Sequence, residues 1–369
     1  MGPKKPPRSN RPKDNSMMSA IGKPTSSKKP AHANTLPQTP VLDSTATALP
    51  IELQQTLLNV FSAAFPLAGN PSELTSTIQE VKRHLYHRDF ANAFGRPEYL
   101  SAYALRWSAA RALAYADIFA RFDPESRWQG DDRVRVACIG GGAGAESVAL
   151  AGMVRHRSLC GLRMEAVDVA DWSACLRGLQ DAIVSLPPLS KHASESVRAA
   201  NRSLLEKEQL VVEFRCEDVL EYAEERLREL TRRTKLVTIM FTLNELFTTS
   251  IAKTTALLLK LTDAMDSGAW LLVVDSPGSY SEVKLGKSDG TKKYPMKWLL
   301  DHTLLEIAGE DKWKKEVDED SKWFRLDSRL KYPIELEDMR YQIHTYQRCV
   351  VPEPVQKKQI DPTGKNDDA

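Results

Sequence analysis

The apolar positions of this chain fall into short runs separated by stretches of helical spacing. Val134–Ile139 is an apolar run broken only by Arg135. It gives way to Gly140, Gly141, Gly142 and Gly144, and then to a helix-like run from Ala145 to Val154. Comparable runs recur at Arg163–Val167, ending on Asp168, at Leu210–Cys216, at Leu236–Phe241 and at Trp270–Asp275. Between them lie segments with helical spacing: 145–156, 171–184 running on toward 206, 219–231 and 249–265. Strand alternating with helix predicts an α/β fold built on a parallel, doubly wound sheet.

The flanks follow other periods. Ile51, Leu53, Leu57, Leu58, Val60, Phe61 and Phe65 show helical spacing over 50–68. A second helix follows Pro71, with Ser72 as its N-cap, and a third runs from Pro97 to Phe119. After the fifth strand come a polar loop, a helix over 295–308, and two strand-like segments, 321–327 and 341–350. No long helix separates those two, so they predict an antiparallel hairpin at the sheet edge. The pattern divides the chain into a basic tail (1–48), a helical N-terminal cap (49–130), a sheet domain (131–352) and a polar tail (353–369).

Charge refines this division. The net charge of the 369 residues is +2, and the first 40 residues, with eight Lys or Arg against Asp14, contribute +7, leaving −5 on the remainder. The body is therefore not a general polyanion binder, and nucleic-acid affinity falls to the tail or to local patches. The tail is rich in Pro, Ser and Lys and too poor in aliphatics to order itself. Its Lys4–Lys13 stretch reads as a nuclear or nucleolar address or an RNA-contacting arm. The five cysteines (138, 160, 175, 216 and 349) form no CxxC pair, which points to a reducing compartment and away from zinc. No run is long enough to span a bilayer, and the N-terminus has no secretory apolar core.

The glycine run is where chemistry is expected. A strand feeding a glycine turn feeding a helix brings free backbone N–H groups and a positive helix end to one point. Gly140-x-Gly142-x-Gly144 matches S-adenosylmethionine sites, and Gly140-x-Gly142-x-x-Ala145 matches dinucleotide sites. Asp168 ends the second strand, where an acid takes ribose hydroxyls, with Trp172 placed to lie against an adenine. Asp218 and Val219 follow the third strand, Asp218 as acceptor for an adenine amino group. Asp171 and Asp218 serve equally well as helix N-caps. On the third cap helix, Tyr99, Tyr103, Arg106 and Trp107 fall near one face, and either Arg106 or Arg111 is a candidate to grip a carboxylate or a phosphate. Thr242, Asn244 and Glu245 stand at the end of the fourth strand, facing the reacting group. Five strand–helix units closed by a hairpin follow the seven-strand plan of class I methyltransferases, whereas a dinucleotide domain more often adds a sixth parallel strand and a substrate domain.

Three stretches carry a closer likeness: Tyr99-Leu-x-Ala-Tyr-x-x-Arg-Trp-Ser, Cys138-Ile-Gly-Gly-Gly-Ala-Gly-Ala-Glu-Ser and Phe241-Thr-Leu-Asn-Glu-Leu-Phe. With them, residues 51–351 resemble the fungal large-subunit (25S) rRNA uridine-N(3) methyltransferases, an S-adenosylmethionine-dependent group. One departure is that Cys138 stands where the wider class often has an acid. The resemblance implies S-adenosylmethionine as cofactor, no metal, no membrane, ribosomal RNA or a pre-ribosomal particle as partner, and work in the nucleus or nucleolus with the cytoplasm left open. It assigns Gly140, Gly141, Gly142, Gly144, Asp168, Trp172, Asp218, Val219, Thr242, Tyr103 and Arg106 to the cofactor. Uracil N3 carries a proton at neutral pH, so Glu245 would accept it and Asn244 would bond a uracil carbonyl. Tyr280, Lys284, Lys287, Lys292 and Lys293, with Lys297 and Trp298 nearby, suit RNA by charge and stacking. Rival readings are a methyltransferase with a protein or small-molecule acceptor, a non-catalytic assembly factor and an NAD-dependent oxidoreductase.

Overall fold

The structure, a computed structural model, describes residues 47–66, 71–122, 133–278, 280–284 and 291–350, with strand 280–284 and residues 291–293 described by backbone alone. Of the tails expected at 1–48 and 353–369, all but residues 47 and 48 lies outside these residues, as does Lys287. Helices α1 (Ile51–Ala64), α2 (Pro71–Tyr86), α3 (Phe90–Ala93), α4 (Pro97–Tyr103) and α5 (Ala109–Phe122) precede the sheet. Then come β1 (Val134–Ile139), α6 (Ala145–Arg157), β2 (Leu162–Asp168), α7 (Ser173–Val184), α8 (Glu195–Ala200), β3 (Leu210–Cys216), α9 (Glu224–Thr231) and β4 (Leu236–Met240). The chain continues through α10 (Leu243–Thr249), α11 (Ile251–Ala264), β5 (Trp270–Asp275), β6 (Tyr280–Lys284), β7 (Thr291–Pro295), α12 (Met296–Asp301), β8 (Trp313–Phe324) and β9 (Met339–Arg348).

Seven strands pair in the order β3-β2-β1-β4-β5-β9-β8. The first five are parallel, and β9 runs antiparallel to both β5 and β8. This is the expected class I plan with its terminal hairpin. In register, Ile139 lies between Val167 and Ile239, so the glycine turn, Asp168 and the end of β4 emerge side by side at the carboxyl edge.

The sheet is buried on both faces, so its strands read as continuous apolar runs. Val134, Val136 and Cys138 point into one core, and Ala137 and Ile139 into the other. The first core also takes Leu57, Leu58 and Phe61 of α1 and Leu113 and Phe119 of α5. The cap and the sheet thus share one apolar interior. Leu57 is fully buried, and a Cβ added at Gly152 of α6 would stand 3.0 Å from its Cδ1.

Three elements differ from the pattern reading. The segment after β5 is not wholly loop, because β6 and β7 pair as a small antiparallel sheet of their own. The first strand of the terminal hairpin starts at Trp313 rather than 321, since its exposed charges conceal its alternation. The third cap helix contains a π-turn at Ala104–Ser108. A π-turn adds about one residue to a turn, so the face projected at 3.6 residues breaks there.

Candidate active site

A hollow of about 510 Å³ opens at the carboxyl edge. Gly140 and Asp168 stand at its floor, Tyr103, Arg111 and Tyr115 form one wall, and Phe241, Thr242 and Glu245 another. Phe90 and Phe94, from α3 and the turn after it, also line it.

The glycine turn is shaped by its neighbours. Gly140 has φ +78°, and an added Cβ would lie 2.0 Å from the Thr242 Oγ1. A Cβ on Gly142 would lie 2.1 Å from the Trp172 ring and 2.8 Å from the Asp168 carboxylate. Gly141 and Gly144 are held behind the turn by Cys138 and Leu179. Of the four glycines only Gly140 lines the hollow; the other three let the turn fold tightly enough to place it.

Asp168 accepts hydrogen bonds from the Gly142 and Ala170 amides at 3.2 and 3.1 Å. Burial pushes its carboxyl up to about 6, against the pull of those amides. Trp172 is buried in an aromatic cluster, 5.5 Å from Phe94 and 5.7 Å from Tyr103 between ring centroids. Val219 is buried in the wall. Asp218 also lines the hollow, and its carboxylate accepts from the Leu220 amide at 2.9 Å, so it is an N-cap as well. Its neighbour Glu217 is taken by Arg226 at 2.8 Å and by the Tyr222 hydroxyl. Arg226 thus holds the Glu217 carboxylate at the edge of the hollow.

Strand β4 ends in a strained step. Phe241 has φ +57°, which costs about 1–3 kcal/mol for a non-glycine residue. Its amide donates to the Val274 carbonyl at 2.7 Å. The step swings Thr242 and Glu245 into the hollow. Glu245 is pushed up to about 8 by burial and by the charges of Asp168 and Asp275, with Arg111 pulling the other way. Asn244 does not line the hollow. Its amide donates to Asp275 at 3.0 Å, while its side-chain Oδ1 is buried without a partner.

The two arginine candidates separate across the π-turn. Arg106 is turned away from the hollow and pairs with Glu337, its guanidinium 5.6 Å from the Trp107 ring centroid. Arg111, one turn later, lines the hollow, bonds the Tyr103 hydroxyl and lies 4.2 Å over the Phe241 ring. Arg106, expected at the cofactor, therefore does not line the hollow, and Arg111 does. Tyr280, Lys284, Lys292 and Lys293 sit on β6 and β7, and their side chains lie outside the described residues.

Glu146 is the residue that sequence reasoning missed. It sits in the first turn of α6, is 3% exposed, and has a carboxylate oxygen with no hydrogen-bond partner. Burial pushes it up to about 8, with Asp168 adding and Arg111 opposing. An acid in a helix's first turn reads as a partner of the helix dipole, which hid it. Away from the hollow, Asp318, Asp320 and His344 bring ligand atoms within 4.8 Å of one another on β8 and β9. The Lys297 ammonium already bonds both aspartates, at 3.0 and 2.7 Å. Among the described residues no helix is long and apolar enough to cross a membrane.

S-adenosylmethionine fits the hollow on three counts. The volume lies in the range of small-molecule sites. The glycine turn brings backbone to its floor. Five acids, Glu146, Asp168, Glu217, Asp218 and Glu245, line it, and among the described lining residues Arg111 is the one Lys or Arg, a balance that suits a sulfonium.

Comparison with known proteins agrees. A yeast protein, the Saccharomyces cerevisiae 25S rRNA (uridine(2843)-N(3))-methyltransferase, is 34% identical over 304 residues, covering 74% of this chain and 78% of its own length. Among solved structures, a SAM-dependent methyltransferase from Methanosarcina mazei is 10% identical, covering 60% of this chain and 95% of its own, with a TM-score of 0.35. A SAM-bound amino pentose methyltransferase from Micromonospora echinaspora is 13% identical, covering 64% and 91%, with a TM-score of 0.31. The family described as "Putative SAM-dependent methyltransferase" matches residues 61–347. That match takes in cap, sheet and hollow alike, and the chain belongs to this family of SAM-dependent methyltransferases.

Proposed function

We propose that this chain methylates N3 of a uridine in large-subunit (25S) ribosomal RNA, in the nucleus or nucleolus. The likeness to the yeast enzyme supports the acceptor. The observation that carries the chemistry is Glu245, a carboxyl raised to about 8 in the wall of the cofactor hollow. A raised carboxylate is a stronger base than an exposed one, which suits it to take a proton near neutral pH.

Bound S-adenosylmethionine supplies a methyl on a sulfonium. Gly140, Asp168 and Val219 would hold its adenosine end, and Arg111 would hold its carboxylate. Glu245 would accept the N3 proton as the N3–methyl bond forms and the methyl–sulfur bond breaks, so charge does not build on the uracil. Asn244, with its free Oδ1 and its amide fixed on Asp275, would lie beyond the hollow where the base enters. Its side chain would have to turn to reach a uracil carbonyl.

A stacked ladder favours RNA over a small acceptor. Trp298 lies between Tyr294 at 4.9 Å and His302 at 4.8 Å between centroids, and is 45% exposed. It follows directly on β7, whose sequence carries Lys292 and Lys293. A base would stack on an outer ring of this ladder, Tyr294 or His302, and such stacking has little sequence preference.

The test is to express the chain in yeast lacking its relative and to digest the purified 25S rRNA to nucleosides. Return of N3-methyluridine, lost again with Glu245→Gln, is the expected result. An rRNA without that nucleoside, while the protein methylates another acceptor, would overturn the reading.

A further inference from the structure

An acid and a cation share the wall of the hollow without meeting. Arg111 rises from α5 and lies over Phe241, and Glu146 rises from the start of α6, directly past the glycine turn. Among the described residues no ion pair joins the two. Arg111 is bonded to Tyr103. The Glu146 carboxylate keeps one oxygen without a partner although the residue is 3% exposed. A buried carboxylate oxygen left unpaired is costly, and such atoms persist where a ligand completes them.

We infer that Glu146 receives the α-ammonium group of S-adenosylmethionine, so that Glu146 and Arg111 together read the zwitterionic amino-acid end of the cofactor. Three observations converge on this. The free oxygen belongs to a residue that lines the hollow. Its position after β1, beside the step that ends β4, separates it from Asp168 and Asp218, which stand at the ends of β2 and β3. Glu146 and Arg111 are an acid and a cation lining one hollow, with no ion pair between them among the described residues, which suits a group that carries an ammonium and a carboxylate on one carbon. Strand β1, VRVACI, itself supplies no carboxylate to this part of the turn.

The groups that face Glu146 are Arg111 and Tyr115 of α5, Cys138 of β1 and Asp168 of β2. Glu245 of α10 faces the same Arg111. In the free protein Glu146 holds a proton up to about pH 8. An incoming ammonium takes that proton's place, so binding at pH 7 releases about one proton. The affinity then rises by about tenfold for each unit that pH rises toward 8.

This inference rests on the chain binding S-adenosylmethionine, and the experiment separates the two. The full chain is titrated calorimetrically at pH 7, in two buffers of different ionisation enthalpy. One ligand is S-adenosylmethionine; the other is methylthioadenosine, which has the adenosine and the sulfur but no amino-acid end. Wild type should release about one proton with S-adenosylmethionine and none through Glu146 with methylthioadenosine. Glu146→Gln should weaken S-adenosylmethionine about tenfold to hundredfold, leave methylthioadenosine within about twofold, and abolish the released proton. Glu245→Gln should leave the Glu146 proton in place. A Glu146→Gln protein that binds S-adenosylmethionine as tightly as wild type, or loses both ligands equally, overturns the assignment while the methyltransferase reading stands. If that variant does not fold, S-adenosylhomocysteine, which keeps the amino-acid end but has no sulfonium, should still release the proton from wild type, and a count of none overturns the assignment. Wild type that binds neither ligand overturns the reading beneath it.

Discussion

The guanidinium of Arg111 lies 4.2 Å over the ring of Phe241, the residue whose left-handed backbone ends β4. One side chain thereby ties the cap to the strained step beside the acceptor residues. A lysine cannot both cover the ring and reach the Tyr103 hydroxyl, because it lacks the planar fork. Arg111→Lys should weaken S-adenosylmethionine binding about tenfold to hundredfold, the range of one lost charge-assisted hydrogen bond, as read by calorimetry. Unchanged binding would remove Arg111 from the site.

As the proposed base, Glu245 works only when ionised, and its carboxyl is raised to about 8. The rate of methyl transfer should therefore climb about tenfold per unit from pH 6 and level off above about 8. Glu245→Gln should abolish transfer while leaving cofactor affinity within a few fold. A flat profile, or normal turnover in the variant, rules the role out.

The same shifts set stability. Glu146 and Glu245 both rise from 4.5 to about 8 on folding, so the folded chain binds more protons than the unfolded one between those values. Stability contributed by the protonated forms is present at low pH and is lost as pH rises through that window. The Tm of the ligand-free protein should fall from pH 5 to pH 8, and Glu146→Gln should flatten the slope. A Tm that rises over the same range contradicts the burial of both groups.

Gly140 combines φ +78° with a neighbour 2.0 Å from its missing Cβ. Gly140→Ala should cost about 1–2 kcal/mol for the left-handed backbone, and more for the overlap with Thr242. Thr242→Gly in the same chain should recover the overlap part only. Denaturant midpoints of the single and double variants separate the two contributions; full recovery in the double variant would show that the backbone carries no strain.

The lysines around the β6–β7 hairpin should act through phosphate. Replacing Lys284, Lys292 and Lys293 by Gln should lower RNA affinity and reduce the slope of log K against log salt by about one per lost phosphate contact. Trp298→Ala should lower affinity without changing the slope, since stacking releases no counterions. An unchanged slope in the lysine variant excludes the hairpin from the RNA surface.

The strands and the glycine turn were legible because burial on both faces writes itself as unbroken apolar runs, as at Val134–Ile139 and Trp270–Asp275. Asp168 was legible for a related reason, since an acid closing such a run has to emerge at the carboxyl edge. Arg106 and Arg111 were not separable, because the π-turn between them has no composition that marks it. Strand β8 was cut short at 321 because an edge strand carries charges on its open face.

The order of short apolar runs and helical stretches determined the sheet, its carboxyl edge and the glycine turn upon it, since each follows from local periodicity and from backbone freedom at glycine. Only the tertiary structure decided that Arg111 and not Arg106 enters the hollow, that Glu146 is buried with an oxygen free, and that Asn244 does not line the hollow. Those outcomes depend on the phase of one helix and on burial shared among α5, α6 and β4, and such long-range contacts leave no mark in neighbouring residues.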